Sequence, residues 1–129
     1  MAISELNRKE FEVEDGLGSI VVMRDVADVP GGRSINCDLL DSAETVVKAG
    51  HVIIRNTTTG EAFALGVSSG AYTSLPAGHA YWGILKASIP VSDPRGAILT
   101  MGEINAAACP YPITSTIAAA LGQINFQYM

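Results

Sequence analysis

The sequence predicts an all-β domain with one short helix near its C-terminus. Short β-branched and aliphatic runs recur from Ser19 to the end, separated by clusters of Gly, Pro, Asn and Ser. Hydrophobic residues reach 48% while aromatics are only 6%, so the apolar content is mostly small and aliphatic. A chain of 129 residues is one domain by length and can bury a true core.

In chain order, Ser19 to Arg24 is a compact β-branched run that Pro30-Gly31-Gly32 is expected to break. Ser34 to Leu39 alternates polar and apolar, as a half-buried strand does. Val46 to Gly50 leads through a turn into His51 to Arg55. Asn56-Thr57-Thr58-Thr59-Gly60 reads as a hairpin loop with Glu61 to Leu65 as its return strand. Ser68 to Gly78 is expected to be a long loop, and long loops in small domains usually make contacts or stay mobile. Ala80 to Ile89 and Ala97 to Asn105 form the strongest strand pair, joined by a turn over 90–96. Ser115 is placed to cap a helix over Thr116 to Leu121, with Gly122 as its left-handed stop. Ile117 and Leu121 then share one helix face. The chain closes on a strand from Gln123 to Met129, and Gly50, Gly83, Gly102 and Gly122 are expected to mark the structural turns.

Charge divides the chain unequally. Residues 1–44 hold ten acidic and four basic side chains, whereas residues 45–129 hold three and four. No basic stripe exists to displace counterions from a nucleic acid, so that partner class is excluded. The N-terminal 18 residues are read as an extended acidic arm, and residues 19–129 as the β-rich domain. Neither a signal peptide nor a membrane span is expected: there is no basic region followed by an apolar run and no stretch of about 20 apolar residues.

Chemistry-bearing residues are few. Cys37 and Cys109 are far apart and belong to no CxxC pair, so both are read as reduced thiols. With His51 and His79 they lack the close pairings of a zinc site. Neither histidine accompanies a nucleophile motif, and both read as structural or surface residues. Gly16-x-Gly18 is too short for a dinucleotide fingerprint and precedes a strand. No enzyme, cofactor or metal site is expected. Charged residues are only 16% of the chain, below the usual value of about 25%. A chain with so little charge to cover itself tends to bury surface against partner subunits.

From Val46 onward the chain resembles the lambda-type head decoration proteins and related head fiber proteins of tailed bacteriophages. The matching features are Lys48-Ala49-Gly50, the Asn56 to Gly60 loop, Gly83-Ile84-Leu85, Gly102 within the following strand, Ala118-Ala119-Ala120 and Gly122-x-Ile124. They cover about two thirds of the chain, and it is their order that carries the likeness. The resemblance implies a small β-tulip fold, a homotrimer, and a place on the capsid exterior against the major capsid protein of the phage head. The protein would then be made in the host cytoplasm and reside in the virion. It also implies a capsid-binding arm, here Glu10, Phe11, Glu12, Val13 and Glu14, added as a strand to the shell protein. Residues 1–45 depart from the family pattern. Two other classes stay open: a biotinyl or lipoyl carrier module, for which Lys48 before its turn lacks the usual flanks, and a small cupin-type enzyme, which needs three or four converging metal ligands.

Overall fold

A computed structural model describes residues 20–128. The described residues are mainly β, with a small closed barrel, a short helix near the C-terminus and a 3-10 turn. The barrel strands are β1 (Val22–Asn36), β3 (Val52–Asn56), β4 (Ala62–Ala64), β7 (His79–Leu85) and β9 (Arg95–Asn105). They follow the order β1-β4-β3-β7-β9, and β1 returns to pair with β9. A terminal strand β10 (Ile124–Gln127) runs parallel to β9 beyond the point where β7 leaves it. Two short ladders lie outside the barrel. One joins β2 (Val46–Val47) to β8 (Ile89–Pro90), and the other joins β5 (Val67–Ser68) to β6 (Ala71–Tyr72).

The local chemistry explains the hairpin between β3 and β4. Asn56 accepts from the amides of Thr58 at 2.8 Å and Thr59 at 3.0 Å, folding the loop over its own side chain. The Gly60 amide then closes the loop on the Asn56 carbonyl. The expected long loop at Ser68 opens instead with the β5–β6 hairpin, turned by Ser69 and Gly70 at positive φ.

Two apolar layers flank the sheet. Ile35, Ile53, Ala62, Ala64, Leu85 and Ile98 come from all five barrel strands and fill the interior. Val52, Ile54, Ile84, Leu99 and Ile104 face outward and are covered by Ile113, Ile117, Leu121 and Ile124. Strands buried on both faces read as continuous apolar runs, which is why Val52-Ile53-Ile54 does not alternate. The covering helix α1 (Ser115–Ala120) is short, so its stability comes from Ile117 docking on the sheet.

Three further expectations are corrected. Pro30-Gly31-Gly32 does not end a strand: β1 runs through it as one fifteen-residue element. Its register against β9 jumps between Val29 and Arg33, so the segment is accommodated as a bulge where ladder hydrogen bonds are not required. The helix cap is Thr114 rather than Ser115, its hydroxyl accepting from the Ile117 amide at 3.2 Å. Gly122 is absent from the positive-φ glycines, and the helix ends at Leu121 with φ −101°.

Candidate assembly surface

The first half of β1 and the residue two before it carry an unusual exposed stripe. Ile20, Met23 and Val26 are 52%, 40% and 52% exposed, and these are three of the five large hydrophobics so exposed among the described residues. The register explains why. Val22 pairs with Ile104 and Arg24 with Glu103, leaving Met23 as the extra residue of one bulge. Asp25 pairs with Gly102 and Ala27 with Met101, leaving Val26 as the extra residue of a second. A bulge re-aims the side chain of its extra residue and bends the strand. Two consecutive bulges therefore turn Met23 and Val26 outward at a three-residue spacing that a regular strand would not produce.

The outer edge of this segment has no strand partner among the described residues. β1 uses one edge for β9 and pairs with β4 only at Ile35 and Asn36. Among the described residues, no strand pairs with the other edge between Val22 and Val29. A strand edge with no strand partner among the described residues, beside exposed apolar side chains, makes a template for another chain. Lys86 braces the segment, its ammonium bonded to Asp25 and, at 2.6 Å, to Asp28. The ammonium, with Asp25 beside it, holds the Asp28 carboxyl below its ordinary range, and the two carboxylates raise Lys86. Both pairs are part-exposed and fix geometry more than they add stability.

The predicted site residues divide. Glu10, Phe11, Glu12, Val13 and Glu14 lie outside the described residues. Gly50 turns the chain into β3 with φ +95°, while Gly83 and Gly102 sit within β7 and β9 at close strand approaches. Gly122 stands between α1 and β10. Met23 and Val26 were not legible as surface residues, because bulges depend on the register with a strand about 75 residues away.

A cleft of about 510 Å³ lies elsewhere, bordered by Asp41, Glu44, Lys48, His51 and Tyr111. His51 is only 3% exposed, and its ring meets Tyr72 and Tyr111 edge-on at 5.3 and 5.7 Å. Its Nε2 lies 2.8 Å from the Leu65 carbonyl, which can only accept, so Nε2 carries the proton. Burial lowers the His51 pKa, partly offset by that carbonyl. The neutral ring is a structural brace between the β5–β6 hairpin and the barrel. Because the folded value lies below the ordinary 6.5, stability is complete above that pH and falls as pH drops toward the depressed value. We expect an unfolding midpoint that declines from pH 6.5 to 5, and His51→Gln to flatten that decline. A decline that persists unchanged in the variant would assign it to other groups.

Cys37 and Cys109 are free thiols, and burial raises both, Cys109 to about 11. Among the described residues, no three His, Cys, Asp or Glu side chains converge as a metal site, and no helix is long and apolar enough to cross a membrane. Set against known families, curated proteins and solved structures, the chain matches none.

Proposed function

We propose that this chain is a structural subunit that works by assembling: a decoration or head fiber base protein, trimeric, on the outside of a bacteriophage head. The observation that carries the reading is the open β1 edge with Met23 and Val26 turned outward by paired bulges. Exposed apolar side chains beside a strand edge that no described strand covers favour burial against a second chain. The low charge content and the order of features from Val46 to the C-terminus support the same reading. In it, the β1 surface meets neighbouring subunits, and the arm around Phe11 and Val13 adds to the shell protein.

Light scattering and native mass spectrometry test the assembly, and labelling on intact particles tests the location. Oligomers of this kind gain stability from the shell, so their apparent strength depends on concentration. Deleting residues 2–15 is expected to leave the β domain folded, by circular dichroism, while weakening attachment to capsids. Equal binding by the truncated chain would reduce the arm to a solvated tail. Loss of folding would instead place the arm in the core.

A further inference from the structure

One mouth of the barrel is closed by a cation–aromatic stack. Trp82 is the only tryptophan of the chain and the extra residue of a bulge in β7, between Gly83 paired with Ile53 and Tyr81 paired with Ile54. It packs partly buried against the interior layer. The Arg33 guanidinium lies 5.0 Å from the ring centroid and that of Arg55 lies 5.5 Å from it. Both are within the reach of a cation–π contact. Arg33 also donates to the Gly60 carbonyl at 3.1 Å. Among the described residues neither arginine forms an ion pair, and the ion pairs present belong to Lys86.

Two like charges gathered on one ring repel, and an oxyanion between them relieves that repulsion. A guanidinium stacked on a ring keeps its N–H edge free, and that edge matches a carboxylate bidentately. Both guanidinium carbons lie so close to one centroid that they are at most about 10.5 Å apart. Carboxylates at alternate positions of an extended strand share one face and lie about 7 Å apart. Two such carboxylates can therefore engage the two arginines together.

The chain carries such a segment. Residues 1–18 hold five carboxylates against two cations, and Glu10, Glu12 and Glu14 stand at alternate positions with Phe11 and Val13 between them. In an extended bound form the carboxylates line one face, and the apolar side chains stay free for another partner. The described chain begins beside the pairing of Val22 with Ile104, whereas Arg33 pairs with Gly96 near the other end of β1. Arg33 thus stands most of a strand's length from the point where residue 20 leads into β1, and residues 10–15 of a second copy carry no such tether.

We propose that the mouth formed by Arg33, Trp82 and Arg55 is a carboxylate-binding site occupied by residues 10–15 of a second copy of this chain. The inference rests on the assembly reading and specifies how the arm ties subunits to one another.

Trp82 reports on the site directly, because no other tryptophan emits. In the full chain, its emission should change on dilution in step with dissociation followed by light scattering. The Glu10→Gln/Glu12→Gln/Glu14→Gln variant should show the diluted emission at every concentration. It should also dissociate at concentrations about tenfold higher than the parent or more, as loss of charge-assisted contacts requires. Arg55→Gln, which leaves the Arg33–Gly60 bond in place, should weaken assembly likewise. A synthetic peptide of residues 1–18 should shift the emission of the arm-neutralised chain saturably, and fail to do so when Arg55→Gln is added.

Identical emission from the parent and the arm-neutralised chain would overturn the proposal. An emission difference that is independent of concentration would assign the mouth to the chain's own arm and overturn the second-copy claim. A chain monomeric at all concentrations would sink the assembly reading separately. The peptide titration would then still decide the site, kept by a saturable shift that needs Arg55 and removed by its absence.

Discussion

Gly83→Ala is expected to open the barrel. A Cβ at this position would stand 2.2 Å from the Leu99 carbonyl oxygen and 2.8 Å from Ile98 Cγ2. The first contact is with backbone, so no side-chain rotation relieves it. β7 meets β9 there through only two register pairs, Ile84 with Leu99 and Leu85 with Ile98. Separating the strands to admit a methyl group breaks that short seam and uncovers both apolar layers at once. Overpacking usually costs about 1–3 kcal/mol, and a backbone clash at a closure point lies at or beyond the upper end. Against a typical total of about 5–15 kcal/mol, the variant should be marginal or unfolded. Gly122→Ala is the matched control. Its Cβ would meet only the Ala119 carbonyl oxygen, at 3.6 Å, and its φ is not positive. Denaturant unfolding should leave that variant within about 0.5 kcal/mol of the parent. Equal midpoints for the two variants would contradict the seam as described.

The contrast between these glycines shows where local sequence carries structure. The loop from Asn56 to Gly60 was legible because its hydrogen bonds run within five residues, from the Asn56 side chain to the next amides. The strands on either side, β9 and the terminal strand were legible from their apolar runs. Pro30-Gly31-Gly32 misled because its fate is set by pairing with β9, which holds β1 together across a bulge. At the helix start, Thr114 and Ser115 both offer hydroxyls, and local chemistry does not choose between them. Glycine usually marks a turn, whereas Gly83 lies within β7 and admits a neighbouring carbonyl.

The candidate surface was less legible than the fold. Ile20, Met23 and Val26 lie three apart, a spacing that matches neither the two-residue period of a strand nor a continued helix. Only the register with β9 reveals that Met23 and Val26 are bulge residues. The stack on Trp82 is similar, since Arg33, Arg55 and Trp82 come from three strands and share no motif. Sites assembled by long-range register leave no signature in a single sequence. The low charge content was the one global signal that pointed toward association.

Replacing Met23 and Val26 together with lysine is expected to abolish self-association while the barrel persists. Both side chains project from bulges and have no register partner on β9, so neither contributes a cross-strand pair to the fold. Each is at least 40% exposed, so lysine enters solvent without displacing core atoms. Substitutions at such sites usually change stability by no more than about 0.5 kcal/mol. Lysine on an open strand edge opposes pairing in two ways. Its charge must be desolvated to enter an interface, and copies meeting edge to edge bring like charges together. In the proposed symmetric trimer, two lysines per chain would place six new charges where the apolar side chains would otherwise meet. Light scattering should then report a monomer at concentrations where the parent is trimeric, with unchanged circular dichroism and unfolding midpoint. Lysine is preferred to aspartate because Asp25 and Asp28 already flank the stripe and hold Lys86, and further acids would disturb that brace. An unchanged trimer would move the interface away from β1. A lowered unfolding midpoint in the monomer would show instead that Met23 or Val26 packs within its own subunit.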